Sequence, residues 1–145
     1  MRTKPKITVL IVDDLDHVRQ GLRTILELTD DLEVVGEAGN GFEAIQLAEQ
    51  LKPDMVLMDL EMPKLDGFEA TQHIKDRQLA NGVVILTIHG DDSSRERAAG
   101  MGVDAFIEKG VATETLVETI RQVWGETSKD PSAPKGGKQT DVRNQ

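Results

Sequence analysis

Short apolar runs alternate with amphipathic stretches along most of this chain. Ile7 to Val12 is almost continuously apolar and largely β-branched, as in a strand buried on both faces of a sheet, and it stops at Asp13-Asp14. Val18, Leu22, Ile25 and Leu26 then recur at helical spacing, with His17, Arg19, Gln20 and Arg23 on the opposite side, which predicts a helix with one buried face. The alternation repeats four more times. Leu32 to Ala38 predicts a strand, and Gly39-Asn40-Gly41 a turn into a helix carrying Ala44, Ile45, Ala48 and Leu51 inward. Pro53 ends that helix, and Met55 to Met58 form a short buried strand that again finishes on an acid, Asp59. After a loop through Pro63, a helix beginning near Asp66-Gly67 carries Phe68, Ala70, Thr71 and Ile74, and Asn81-Gly82 turns the chain into the strand Val83 to Ile88. The fourth helix, about Asp92 to Met101, is the weakest amphipath, apolar only at Ala98, Ala99 and Met101. Ala105-Phe106-Ile107 predicts the next strand, and a last helix from Thr113, read as its N-cap, carries Leu116, Val117, Ile120, Val123 and Trp124.

Five strand–helix pairs predict an α/β fold: a doubly wound, five-stranded parallel sheet of strand order 2-1-3-4-5 with five helices, because right-handed crossovers place each helix on a sheet face. Ligands of such sheets sit outside the carboxyl ends of the strands, near the switch between the first and third. Asp13, Asp14 and Asp59 fall there. From Thr127 onward turn formers and lysines replace any apolar period. The expected organisation is an N-terminal extension over 1–5, one folded domain over 6–126 and a disordered tail over 127–145.

Charge and composition narrow the chemistry. The net charge is −9, and the tail holds four basic residues against two acids, so residues 1–126 are more acidic than the whole. That argues against direct nucleic-acid binding, which depends on Lys and Arg displacing counterions. Aromatic residues make up 3%, with no Tyr, which leaves no stacking platform for bases or a flavin. No cysteine is present, so disulfides, thiolate metal sites and cysteine nucleophiles are excluded. No apolar run reaches a membrane-spanning length, and the basic start Met1 to Lys6 leads into too few apolar residues for a secretory signal. The expectation is a soluble cytoplasmic protein with no membrane partner.

Three carboxylates at neighbouring strand ends repel one another, although any one aspartate taken alone reads first as a solvated turn former. A hard divalent cation, Mg²⁺ with Mn²⁺ as a substitute, takes oxygen ligands and relieves the repulsion. Thr87, near the end of the fourth strand, offers a hydroxyl, and Lys109, just past the fifth, an ammonium. Phosphoryl transfer needs mainly positioning and neutralised charge on the equatorial oxygens, and an aspartate nucleophile yields an acyl phosphate. Taken singly, Lys109 reads as a surface lysine and Thr87 as an ordinary strand residue. His17, His73 and His89 lack metal-ligand spacing.

Val12-Asp13-Asp14, Met58-Asp59-Leu60-Glu61-Met62-Pro63 with Asp66-Gly67, then Thr87, then Phe106-Ile107-Glu108-Lys109 resemble the CheY-like receiver domain of two-component response regulators, over about residues 6–126. The resemblance implies a signalling phosphoprotein rather than an enzyme, one that catalyses only its own phosphorylation and dephosphorylation. Asp59 would be phosphorylated by a sensor histidine kinase or phosphotransfer protein. Asp14 would bind Mg²⁺ directly, Asp13 mostly through water, with Asp59 and the Glu61 backbone carbonyl completing the shell. Thr87 and Lys109 would bind the phosphoryl group. Thr87 and Phe106 would form a switch that remodels the face of the fourth helix, fifth strand and fifth helix; Phe106 reads equally as a core residue. Homodimers through that face, or through the first and fifth helices, are implied as partners.

Departures from the family's pattern carry expectations of their own. Ile88 stands where a small residue is usual and would narrow access to Asp59, while Glu61 and His89 occupy positions that tune loss of the phosphate. Gly110 replaces the usual proline, so no cis peptide is expected there. Gly39-Asn40-Gly41, Glu108-Lys109-Gly110 and the last helix resemble receivers that precede LuxR/NarL-type helix-turn-helix domains; a stand-alone regulator and a receiver cut from a longer protein both fit. Three alternatives share the fold class, of which a flavodoxin-like FMN carrier would need a hydroxyl-rich phosphate loop where Asp13-Asp14 stand. A pseudo-receiver would bind proteins without phosphorylation, and a haloacid-dehalogenase-type phosphatase would need an Asp where Glu61 stands.

Overall fold

A computed structural model describes residues 6–62, 64–88 and 90–127 and the backbone of 140–142. The elements follow in the order β1 (Ile7–Val12), α1 (Asp16–Glu27), β2 (Leu32–Ala38), α2 (Gly41–Leu51), β3 (Met55–Met58), α3 (Gly67–Asp76), β4 (Gly82–Thr87), α4 (Asp92–Gly100), β5 (Ala105–Glu108), α5 (Thr113–Thr127) and β6 (Thr140–Val142). The strands pair in parallel in the order β2-β1-β3-β4-β5-β6. The predicted order of five strands therefore holds.

A sixth strand falls within the segment expected to be a disordered tail: the backbone of Ala105 pairs with Thr140 and that of Ile107 with Val142. A three-residue strand leaves no apolar period to read, which is why pattern alone missed it. Thr127 likewise belongs to α5. Residues 128–139 and 143–145 lie outside the described residues.

The continuously apolar strands are buried on both faces, as their composition requires. One core layer packs Val9, Ile11, Leu57 and Ile107 with Leu26 of α1 and Leu116, Ile120 and Val123 of α5. The opposite layer packs Leu10, Met58, Ile85 and Phe106 with Ala44 and Ala48 of α2, Ala70 and Ile74 of α3 and Ala98 of α4. Helix starts are set by short polar side chains: Asn40 accepts from Glu43 N at 3.0 Å and Asp91 from Ser94 N at 2.7 Å. Thr113 does not cap α5 as expected. It is the first helical residue, and Leu116 N donates to the carbonyl of Ala112, which holds the cap position.

Candidate functional site

Register places the acids. Val12 pairs with Met58, and Asp59 N donates to the Val12 carbonyl at 2.9 Å, so Asp13 and Asp59 leave neighbouring strands side by side. Carboxylate oxygens of Asp13, Asp14 and Asp59 lie within 4.8 Å of one another. Asp13 and Asp59 are buried at 1% and 6% exposure, while Asp14 is exposed. The hydrogen bonds of the sheet, and not any attraction among the carboxylates, hold this cluster together.

The Lys109 ammonium faces it. Thr87 pairs with Glu108, and Lys109 N donates to the Thr87 carbonyl at 2.7 Å, which brings the β5 end level with the acids. The Lys109 ammonium sits 2.5 Å from Asp13 Oδ2 and 3.9 Å from Asp59 Oδ1. Asp13 Oδ1 also accepts from Leu15 N at 3.0 Å. Asp13 is thus the better compensated of the two buried acids. Burial pushes the Asp59 carboxyl up to about 6; Lys109 and a backbone hydrogen bond from Glu61 oppose the rise, and the charges of Asp13 and Asp14 add to it.

The loop after Asp59 is held by Asp66-Gly67, the pair expected to start a helix and quoted in the receiver motif. Asp66 caps α3 by accepting from Glu69 N at 2.9 Å. A Cβ on Gly67 would lie 2.1 Å from the Asp59 carbonyl oxygen, so α3 begins directly against the Asp59 backbone. The Asp-Gly pair was the available signal, since a glycine at the first helical position is explained by close approach better than by propensity.

The other expected site residues divide. Thr87 is buried at 1% exposure and lines, with Glu61, Asp66, Ser94 and Arg97, a cavity of about 330 Å³. Phe106 is packed in the core, at 1% exposure. Ile88 lies at the surface, 61% exposed, and Glu61 is exposed as well. His89 lies outside the described residues. Gly110 has φ +102°, a value closed to the proline usual at that position.

A doubly wound parallel sheet with acids, a buried threonine and a lysine at its carboxyl rim defines a signalling receiver fold. Residues 9–121 match the family described as the response regulator receiver domain, and the chain belongs to that family of two-component systems. Its relatives are LuxR/NarL-type response regulators. The response regulator protein VraR of Staphylococcus saprophyticus is 42% identical, over 84% of this chain and 58% of its own length. The nitrate/nitrite response regulator protein NarL of Escherichia coli is 31% identical, over 84% of this chain and 56% of its own. A DNA-binding response regulator of the LuxR family from Staphylococcus aureus superposes with a TM-score of 0.77 at 32% identity, covering 81% of this chain and 98% of the solved one. The chain therefore spans a little over half the length of these curated relatives. Among the described residues no helix is long and apolar enough to cross a membrane.

Proposed function

We propose that this chain is a phosphoacceptor: Asp59 takes a phosphoryl group from a sensor histidine kinase or phosphotransfer protein in the cytoplasm and holds it as a signal. The observation that carries the reading is the convergence of Asp13, Asp14 and Asp59 within 4.8 Å, faced by Lys109. An all-oxygen donor set around a buried acid that one lysine only partly compensates suits Mg²⁺, or Mn²⁺ in its place. Asp13, Asp14, Asp59 and the Glu61 backbone carbonyl would hold it, and the bound ion would supply charge neutralisation for the phosphoryl oxygens.

An Asp59 carboxylate oxygen attacks phosphorus, the P–N bond of the donor phosphohistidine breaks, and the leaving imidazole takes a proton. The new P–O bond makes an acyl phosphate at a buried position. The Lys109 ammonium and the Thr87 hydroxyl then bind phosphoryl oxygens. Water later attacks phosphorus, the P–O bond to Asp59 breaks, and inorganic phosphate leaves the restored carboxylate, with Glu61, Ile88 and His89 tuning the access of water. The chain turns over no external substrate beyond this self-modification. Output runs through the face of α4, β5 and α5, or through dimers using that face or α1 and α5. A DNA-binding step would belong to the longer proteins that the relatives represent, not to these residues.

Phosphotransfer from a panel of histidine kinases, with acetyl phosphate as a small donor, tests the reading. Labelling is expected only with Mg²⁺ or Mn²⁺, abolished in Asp59→Asn and reduced at least tenfold in Asp14→Ala, an order-of-magnitude figure for losing a ligand. Equal acid-stable, alkali-labile label in Asp59→Asn would reject the assignment. No labelling of the wild type by any donor would favour the pseudo-receiver.

A further inference from the structure

The helices are not attached to the sheet in the same way. α5 buries Leu116, Val117, Ile120 and Val123, whereas α4 buries only Ala98 and Arg95. An arginine is thus the largest group that α4 puts into the domain. Its side chain is 7% exposed, and its contacts include Glu108, Gly90 and Phe106. Nη2 donates to Glu108 Oε1 at 2.9 Å, Nε donates to the Gly90 carbonyl at 3.2 Å, and the guanidinium carbon stands 4.6 Å from the centre of the Phe106 ring.

Those partners adjoin the site described above. Glu108 closes β5, pairs with Thr87 across the sheet and immediately precedes Lys109. Gly90 lies in the connection from β4 to α4. A Cβ on it would stand 2.6 Å from Glu108 Cγ and Oε1, so that connection rests directly on the Glu108 side chain. Phe106 shares the Glu108 face of β5, two residues back. The strand end bearing Lys109, the segment following Thr87 and the underside of α4 therefore meet at one guanidinium.

We propose that Arg95 is a latch, a positioning residue that holds α4 and the Gly90 segment in the unphosphorylated arrangement and so sets how readily the pocket accepts a phosphoryl group. The proposal rests on the phosphoacceptor reading and adds a regulatory residue to it. Its energetics follow from the setting. A buried ion pair gains little net free energy over separate hydrated ions, and Glu108 is already 33% exposed, so release of the pair into water is affordable. Beyond Arg95, α4 is held by buried Ala98 and by Arg97, whose guanidinium carbon stands 4.0 Å from the centre of the Phe68 ring, and not by a broad apolar face. A small local bias then shifts the population between two placements of α4.

The test uses Arg95→Met, which keeps an apolar cover over Phe106, and Glu108→Gln, which keeps the acceptor's shape. Beryllofluoride with Mg²⁺, a tetrahedral phosphoryl mimic, is titrated by calorimetry. Both variants are expected to bind it about fivefold more tightly than the wild type, the lower end of ordinary coupling between sites, and the double variant no more tightly than either alone. Before any ligand is added, amide hydrogen exchange over 90–100 should accelerate by a similar factor while α5 is unchanged. A structural staple alone would lower the melting temperature without moving beryllofluoride affinity. Unchanged or weaker binding in both variants, with the wild type binding normally, overturns the latch. A wild type that takes up no beryllofluoride overturns the phosphoacceptor reading beneath it.

Discussion

Both rims of the sheet carry aspartates at strand ends, and the two sets live in opposite circumstances. At the amino rim, Asp54 precedes β3 and accepts from Thr8 N, Thr8 Oγ1 and Asn81 Nδ2 at 2.9, 3.1 and 3.2 Å. Asp104 precedes β5 and accepts from Val83 N and Lys75 Nζ at 2.8 and 2.9 Å. At the carboxyl rim, Asp59 has one backbone donor, a lysine 3.9 Å away and two further carboxylates as neighbours. One set ties strands together and the other stores repulsion. A carboxylate at a strand end thus points to function through the donors it lacks.

The largest expected effect breaks the comparison at the amino rim. Asp104→Ala removes the acceptor of Val83 N, a residue with no exposed surface, and the partner of Lys75. An orphaned buried N–H and a lost charged bond should lower unfolding free energy by about 2–3 kcal/mol, measured by urea denaturation at pH 7. A loss below about 0.5 kcal/mol would show that Asp104 is no more structural than a solvated turn residue.

Substitution at the other rim should have the opposite sign. Burial raises the Asp59 carboxyl from 3.8 to about 6, so between those values the folded state holds more protons than the unfolded one. Stability therefore falls as pH rises through about 4 to 6, and the full penalty is present above that window. Solvent entering beside the exposed Asp14 screens the charge, which leaves a penalty of about 1–2 kcal/mol at pH 7. Asp59→Asn removes the charge and keeps the shape. In metal-free buffer it should be more stable than the wild type by that amount at pH 7, with the advantage gone below pH 4 (the approximate unfolded value). Equal stability at pH 7 would mean the cluster is not strained.

Which aspartates were legible from sequence follows the same division. Asp13, Asp14 and Asp59 could be read because each ends or follows an apolar run whose parallel pairing forces neighbours together, and Thr87 and Lys109 followed from the same logic at β4 and β5. Asp54 and Asp104 could not. Their partners, Thr8 and Val83, are 46 and 21 residues away, and only the sheet register brings them within reach. Arg95 was hidden for another reason. Amphipathic patterning treats arginine as an outward residue, and α4 reads as a weak helix because its buried face holds a guanidinium. The three-residue β6 has no period of its own, and the cap of α5 fell on Ala112, which carries no capping signal.

The smallest expected effect separates access from strain at the carboxyl rim. Ile88 follows Thr87 and is 61% exposed, so its side chain contributes little to the core. Ile88→Ala should leave unfolding free energy within about 0.5 kcal/mol of the wild type, the ordinary range for a surface change. If the branched side chain narrows the approach to Asp59, labelling by acetyl phosphate should rise about two- to threefold, a change of under 1 kcal/mol in barrier height. Transfer from a protein kinase, which orients its own phosphohistidine, should change less. Equal acceleration with both donors would place the effect in the pocket's rearrangement instead of its entrance, and no change with either would leave Ile88 a surface residue beside the site.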